Sequence, residues 1–168
     1  MSDEITLKRP SIRDEDWRYS DKGFLQTADI TSLQAWRSLE IPAGESHFEY
    51  SHKASPENTN GTVDRLRVKV GRGARLAIFQ IIESNKYQRS ELEVTLHDGA
   101  HFEFGGITIG GGKATQEFVT RVIHKEPNAT SNQTVRAVHW GSATGNFLGR
   151  IELLRDAQKT NAAQNFRA

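Results

Sequence analysis

Two histidines with a ligand-like spacing are the first residues to test for chemistry. His97 and His101 are separated by three residues, an interval that zinc ligands use when both lie on one face of a helix. The intervening Asp98-Gly99-Ala100 is instead typical of a turn, where this spacing does not bring two rings together. We therefore expect solvent-exposed turn histidines here and no metal site.

A glycine-rich run invites comparison with a phosphate-binding loop. Residues 105–113 end on Gly112-Lys113, but the nucleotide-binding pattern also requires glycine at position 107 and serine or threonine at position 114. The chain has Ile107 and Ala114 there, and no helical pattern follows immediately. The run predicts a flexible turn without a bound cofactor.

The residue inventory removes several other chemistries. The chain has no cysteine, which excludes disulfides, thiolate zinc sites, cysteine-ligated iron–sulfur centres and a cysteine nucleophile on this chain. A Gly-x-Ser-x-Gly elbow and a zincin helix are also absent. Any two of the 21 acidic residues could converge for glycosidic cleavage, so that chemistry stays open. We assign no catalytic residue.

Composition predicts one soluble domain. Charged residues make up 26% of the 168 positions and the formal net charge is +1, a balance too even to steer the chain to nucleic acid. No apolar run approaches the roughly 20 residues of a membrane span. The polar start, with Asp3 and Glu4, does not resemble a secretory signal, so we expect a cytoplasmic protein.

The first 43 residues differ from the rest and are predicted to form an N-terminal segment with one short helix. Leu33, Trp36 and Leu39 recur every third residue after a capping position, which predicts a helix over 31–39. The sequence Ile41-Pro42-Ala43-Gly44 ends it, because proline cannot continue a helix. The charged and aromatic residues 14–19 precede this helix.

A repeat with a fixed offset of 26 dominates the middle of the chain. Two runs share strand-like alternation followed by an identical Gly-Ala turn. Leu66, Val68, Val70, Gly73, Ala74, Leu76 and Ile78 correspond to Leu92, Val94, Leu96, Gly99, Ala100, Phe102 and Phe104. Such self-similarity is typical of a β-solenoid, whose turns stack on one another. A β-sandwich or jelly roll with two similar hairpins is the alternative.

The offset also predicts which outward side chains meet. If residues 26 apart stack in register, Arg65 lies beside Glu91 and Arg67 beside Glu93 on adjacent parallel strands. In the turn, Arg72 would fall beside Asp98. The offset continues approximately to Phe118 and Val122, and further strand-like runs cover 134–139 and 147–154.

The last third of the chain resembles a known family. The segments 124–133, 145–151 and 157–164 are similar to the core of the SufB/SufD proteins, which are scaffolds for iron–sulfur cluster assembly. The most specific pieces are Gly-x-Phe-x-Gly-x-Ile, starting at Gly145, and Ala-Gln-Lys-Thr-x-x-x-Gln, starting at Ala157. Asp16-Trp17-Arg18-Tyr19-Ser20 looks like the N-terminal segment of SufD proteins, and the lack of cysteine also suits SufD better than SufB.

The resemblance implies an all-β fold, a right-handed parallel β-helix over 44–168. It implies a non-enzymatic SufD-like scaffold that works with SufB-like and SufC-like partners. The SufC-like ATPase would hydrolyse ATP, and the nascent iron–sulfur cluster would form only in the full complex.

The same resemblance makes the chain look incomplete. In the family, further coils, a His-Gly-Ala-Thr-like motif with the functional histidine and SufC-docking helices follow the segment that ends here at Ala168. We therefore expect a truncated β-helix whose six histidines do not include the functional one. A carbohydrate-active or sugar-binding β-helix protein is the alternative function.

Overall fold

A computed structural model describes residues 8–55 and 58–168. A short 3-10 helix at Glu15–Trp17 and the helices α1 (Lys22–Thr27) and α2 (Ile30–Gln34) precede ten strands. The strands are β1 Arg37–Ile41, β2 Ser46–Ala54, β3 Gly61–Val70, β4 Arg75–Glu83, β5 Tyr87–Leu96, β6 His101–Gly110, β7 Thr115–His124, β8 Thr130–His139, β9 Thr144–Leu153 and β10 Asn161–Arg167.

The chain winds between two parallel sheets. Odd-numbered strands form one sheet in the order β1-β3-β5-β7-β9, and even-numbered strands form the other in the order β10-β8-β6-β4-β2. All the strand pairs are parallel. We call these the odd sheet and the even sheet. This is a parallel β-helix, as predicted, and not the sandwich or jelly roll of the alternative.

The repeat of 26 sets the register between the coil of β3 and β4 and the coil of β5 and β6. Leu66 pairs with Leu92 and Leu76 with Phe102, as the sequence predicts. The offset then grows to 28 between β5 and β7, so Leu92 pairs with Thr120 rather than with the predicted Phe118. Residues paired in register point to the same face of the sheet whatever their offset, so Leu92 and Thr120 both lie on the inward side.

One corner of every coil has the same backbone conformation. Each connection from an odd to an even strand contains a residue in the left-handed region, and successive copies hydrogen-bond through their amides, as between Gly44 N–H and Arg72 C=O at 2.8 Å. The five positions are Gly44, Gly73, Gly99, Asn128 and Lys159. Glycine and asparagine tolerate this conformation, which explains the recurrent turn signal.

The core is the apolar stack between the two sheets. Alternating side chains of β3, β5 and β7 meet those of β4, β6 and β8, and Val70, Val94, Phe102 and Phe118 are fully buried. Phe104 and Phe118 contact edge to face across the interior, with ring centroids 5.3 Å apart. Burial of these rows fixes the strand register because a one-residue slip would turn them outward.

The predicted helix over 31–39 is wrong in its second half. Asp29 caps α2 by accepting a hydrogen bond from the Ser32 N–H, and the helix ends at Gln34. Residues 37–41 instead form β1, which pairs with β3 and places Leu39 beside Val68. A helix this short is marginal alone, so pairing with an existing sheet prevails.

The glycine-rich run is also not the flexible turn that we predicted. Residues 105–110 belong to β6, and the turn is confined to residues that follow it. Gly105 leaves room for the Phe79 ring, which lies where a Cβ would be, at 2.5 Å. The run is therefore a strand in which glycine permits close packing.

Neither α1 nor α2 has the length and apolar character needed to cross a bilayer, and residues 8–55 and 58–168 contain no other helix that does.

Candidate functional site

The N-terminal helices form a strap across the outer face of the odd sheet. We call residues 15–34 the strap. Leu33 C=O accepts a hydrogen bond from Arg65 Nη1 at 3.3 Å, and Phe24 packs on Tyr87 with ring centroids 4.7 Å apart. Trp17, Leu25 and Leu33 form a small apolar cluster of their own beneath the strap. The strap therefore buries a second, minor core outside the β-helix.

Arginine and tryptophan side chains alternate where the strap meets the sheet. Trp36 lies between the guanidinium groups of Arg65 and Arg67, at 4.1 and 4.2 Å from its ring centroid. Trp17 lies over Arg89 at 3.9 Å and within 5.7 Å of Arg65. Cation–π contacts of this kind are strongest where water is excluded, as it is around Arg89. We call these five residues the arginine–tryptophan stack.

Below Trp17 lies a buried charge cluster. The Arg89 side chain is 0% exposed and its guanidinium contacts the Glu91 carboxylate at 3.0 Å and the Glu117 carboxylate at 3.5 Å. Glu117 Oε2 also accepts hydrogen bonds from the Tyr87 hydroxyl at 2.6 Å and from the Ser20 hydroxyl at 2.9 Å. Burying such charges is favourable only when each is paired, and this pairing includes a strap residue.

The pKa values of Tyr87 and Arg89 in this cluster are both raised. Burial and the Glu117 carboxylate raise the pKa of Tyr87, so its hydroxyl stays a donor. Burial lowers the pKa of Arg89, but Glu91 and Glu117 outweigh that effect and the net shift is upward. Both Tyr87 and Arg89 therefore keep their protons across the physiological pH range.

A groove of about 600 Å³ runs between the strap and the odd sheet. Its charged walls pair internally, since Arg65 contacts Glu91, Arg67 contacts Glu93, and Arg150 reaches Glu15 at 3.1 Å. The lining also includes Asp16, Tyr19, Trp36, Val119, Thr120, Arg121, Phe147, Leu148 and Gly149. A groove of paired charges and mixed side chains offers contacts to a partner surface.

The predicted ladder of opposite charges is confirmed on the strands. Arg65 and Glu91, and Arg67 and Glu93, lie side by side on β3 and β5 with contacts of 3.0 Å. The predicted turn pair is wrong, because the Arg72 guanidinium contacts Glu126, two corners further along the chain, at 3.2 Å instead of Asp98 in the adjacent corner. Arg72 therefore spans two coils.

The comparison with family models identifies the chain. A model described as "SUF system FeS cluster assembly, SufBD core domain" matches residues 31–168. The chain belongs to the SufBD core family. No curated protein and no solved structure matches it. Membership supports a role in iron–sulfur cluster assembly and does not favour the carbohydrate-active or sugar-binding alternative.

The matched SufBD region begins at the second residue of α2 and covers β1 to β10, whereas most of the strap precedes it. Two of the family-like segments form strands at the far end of the β-helix, since 145–151 lies in β9 and 161–164 begins β10. The third, 124–133, turns from β7 into β8 and contributes the buried His124, Ser131 and Gln133 to the interior.

The histidines of the SufBD chain are dispersed. His97 contacts the Glu126 carboxylate at 3.0 Å, while the His101 ring lies 2.6 Å from the Thr130 hydroxyl on the neighbouring strand β8. Both are partly exposed, and residues 8–55 and 58–168 contain no group of three or more His, Asp or Glu side chains placed to hold a metal ion. His124 is fully buried and hydrogen-bonds the Ser131 hydroxyl at 3.0 Å.

Sequence reasoning missed the buried charge cluster. The segment 16–20 resembles SufD in sequence, but the sequence does not indicate that it contacts Arg89 and Glu117. In β5, Tyr87, Arg89 and Glu91 occupy outward positions and alternate with inward residues, a pattern that is typical of a solvent-exposed face. No local sequence pattern therefore marks their burial beneath the strap.

Proposed function

We propose that this chain is a SufD-type, non-enzymatic scaffold subunit of iron–sulfur cluster assembly. It would work with a SufB-like subunit and a SufC-like ATPase, with ATP hydrolysis in the latter. The nascent cluster is the cargo of the complex rather than a resident cofactor of this chain. The same proposal places the protein in the cytoplasm.

The observation that carries the SufD assignment is the anchoring of the strap. The segment that resembles SufD is Asp16–Ser20, and three of its residues bind the buried charge cluster. Asp16 C=O accepts a hydrogen bond from Arg89 at 2.7 Å, and Trp17 covers the same guanidinium. The SufD-like feature is thus tied to the β-helix by specific contacts.

The chemistry of the site supports a scaffold role. The chain has no cysteine to hold iron or carry sulfur. The groove arginines are engaged by carboxylates, and the Tyr87 hydroxyl is held protonated, so the charged groups around the strap already neutralise one another. This set positions surfaces and does not supply a nucleophile.

The test is assembly with purified SufB-like and SufC-like partners from the same source. Size-exclusion chromatography with light scattering should show a complex that contains this chain, and anaerobic reconstitution with iron and sulfide should give cluster absorbance in the complex but not in this chain alone. ATP turnover should require the SufC-like subunit. Cluster absorbance in the isolated chain, or a failure to join either partner, would contradict the proposal.

A pair of adjacent aromatic variants tests the strap within that assay. Trp17→Ala removes a buried ring that covers Arg89, whereas Tyr19→Ala removes a neighbouring ring that is 54% exposed. We expect Trp17→Ala to release the strap, seen as faster amide exchange over residues 15–34, and to weaken assembly. Tyr19→Ala should leave amide exchange unchanged. Equal effects would show that the strap is not held through Trp17.

A further inference from the structure

The interior of the β-helix changes from apolar to polar in the coil of β7 and β8. We call this coil the polar coil. Its inward side chains pair in register with inward side chains of the preceding coil, so the change occurs at matched positions. Thr120, His124, Ser131 and Gln133 pair with Leu92, Leu96, Phe102 and Phe104, respectively.

Two side chains of the polar coil are buried without a protein partner for their polar atoms. Thr120 is 2% exposed and Gln133 is 0% exposed. No group of residues 8–55 and 58–168 hydrogen-bonds Thr120 Oγ1 or either polar atom of the Gln133 amide. Buried polar groups in native proteins bond to protein or to ordered water, because leaving them unpaired costs free energy.

Two other buried glutamines of the same β-helix do have protein partners. Gln80 Oε1 accepts a hydrogen bond from the Ser90 hydroxyl at 2.7 Å. The Gln116 amide donates one to the Ser84 C=O at 2.8 Å. The core can thus satisfy a buried amide with its own groups, which it does not do for Gln133.

The two unpartnered side chains lie on opposite walls of the polar coil. At its corner, His124 faces Ser131, and the two hydrogen-bond at 3.0 Å. Inward residues alternate along each strand, so the next inward residue of β8, Gln133, faces Val122, one inward step from Thr120. Such a step is about 6.6 Å along the strand. A gap of this size between polar groups is one that a bridging water can span.

The polar coil also has smaller side chains than the coil before it. Ser131 takes the position that Phe102 has in the preceding coil, and Thr120 takes that of Leu92. These smaller side chains leave room for a small molecule in the interior.

A third polar side chain lies beside this pair on β10. Gln164 pairs with Gln133 in register, and its amide lies where a Cβ of Gly149 would be. Gly149 in turn pairs with Thr120. The Gln164 amide therefore adjoins both unpartnered side chains. Together the three supply the two to four polar partners that a buried water needs.

We propose that the polar coil binds water inside the β-helix, with Thr120 Oγ1 and the amides of Gln133 and Gln164 as its hydrogen-bonding partners. Hydroxyl and amide groups both donate and accept hydrogen bonds, as water does. The inward residues of β7 and β8 include no Asp, Glu, Lys or Arg, so an ion would be buried there without an opposite charge. Burial also lowers the pKa of His124, so its ring is neutral at pH 7.

Conservative variants distinguish a hydrated interior from a dry one. Thr120→Val and Gln133→Met remove the polar atoms and nearly keep the side-chain volume. If water is bound, each variant takes a hydrogen-bond partner from it, and the melting temperature should fall by roughly 2–4 °C. A dry interior would instead lose unpaired polar atoms. A melting temperature that rises or stays the same in both variants would therefore overturn the proposal.

Two matched variants calibrate this measurement. Gln80→Met breaks the hydrogen bond with Ser90 and should lower the melting temperature whether or not the polar coil holds water. Thr95→Val removes a hydroxyl from the outer face of β5 and should leave the melting temperature close to that of the wild type.

Magnetic relaxation dispersion of water nuclei gives a direct readout, because it counts water molecules with long residence times in the full chain. The wild type should hold at least one more such water than the double variant Thr120→Val/Gln133→Met, and Thr95→Val should match the wild type. A crystal structure should place this water within hydrogen-bond distance of Thr120 Oγ1. Equal counts in the wild type and the double variant, or density for anything other than water, would contradict the proposal.

Discussion

The outer faces of the two sheets of this β-helix differ in the residues they carry and in how far they are covered. The odd sheet carries charged residues on its outer face and buries Arg89, Glu91 and Glu117 beneath its own strap. The even sheet carries aromatic and branched aliphatic residues and leaves Phe48 and Tyr50 largely exposed. The same backbone geometry thus supports an intramolecular cover on one side and an open apolar surface on the other.

The difference between the two sheets shows that the outward residues determine what can cover each face of a solenoid. Buried charge pairs demand specific partners, so they fix where the strap lies but add little net stability compared with apolar contacts. Apolar residues pack against any surface of suitable shape. The contact area and the flanking charges therefore decide which surface can cover them. The outer face of the odd sheet is therefore covered by the chain itself, whereas the apolar residues of the even sheet stay exposed.

The largest effect should come from breaking the buried charge cluster. Arg89→Met leaves the Glu91 and Glu117 carboxylates without their shared cation, and we expect a loss of about 3–5 kcal/mol in the free energy of unfolding. Urea titration followed by circular dichroism measures it. The matched control is Arg67→Met, whose pair with Glu93 is exposed and should cost at most about 1 kcal/mol. If both variants lost the same free energy of unfolding, the buried and the exposed charge pairs would not differ in their contribution to stability.

A smaller effect is expected on the even sheet. Tyr50→Thr removes one ring of the exposed stack with Phe79 and should lower the free energy of unfolding, measured by urea titration, by about 0.5–1.5 kcal/mol. The interior pair gives the reference, because Phe118→Ala deletes a fully buried ring and should cost about 3–5 kcal/mol. If Tyr50→Thr cost as much as Phe118→Ala, the even face would be covered within the monomer.

The β-helix itself was largely predictable, because stacking imposes a period on the sequence. Leu66, Val68 and Val70 face inward for the same reason as Leu92, Val94 and Leu96, and the left-handed corner requires Gly73 and Gly99 in the same frame. The offset of 26 did not hold for the later coils because their corners differ in length. The offset between paired residues rises to 28 and 29 there, while the alternation along each strand stays the same.

The strap was not predictable, because its contacts are not periodic. Ser20 meets Glu117 across 97 residues of chain, and no local pattern marks that pairing. The spacing of Leu33, Trp36 and Leu39 predicted one helix. Instead, Leu33 belongs to the strap, Trp36 to the arginine–tryptophan stack and Leu39 to β1. Local periodicity cannot separate three adjacent residues that pack in three different environments.

The corner between the two sheets has its own acid-sensitive contact. The His97 ring, the Asp98 N–H and the Arg72 guanidinium hold the pKa of Glu126 at about 2, below its usual 4.5. The stability contributed by this carboxylate is present above about pH 4.5 and is lost as the pH falls through about 2. The difference in melting temperature between wild type and Glu126→Gln should therefore be widest near neutral pH and narrow below pH 4.5. A difference that stays constant down to pH 2 would contradict this assignment.

The smallest effect should come from the open charges of the odd sheet. Glu93 contacts both Arg67 and Arg121, and Arg121 continues the row to Glu152 at 2.9 Å. Exposed pairs of this kind contribute about 0.2–1 kcal/mol each and are screened by salt, so Glu93→Gln should destabilise the chain slightly in dilute buffer and hardly at all in about 1 M salt. Arg89→Met should retain most of its loss in the same salt, because its charges are shielded from water and ions by Trp17. If salt relieved both variants alike, the strap would not exclude solvent, and the odd sheet would be as open as the even one.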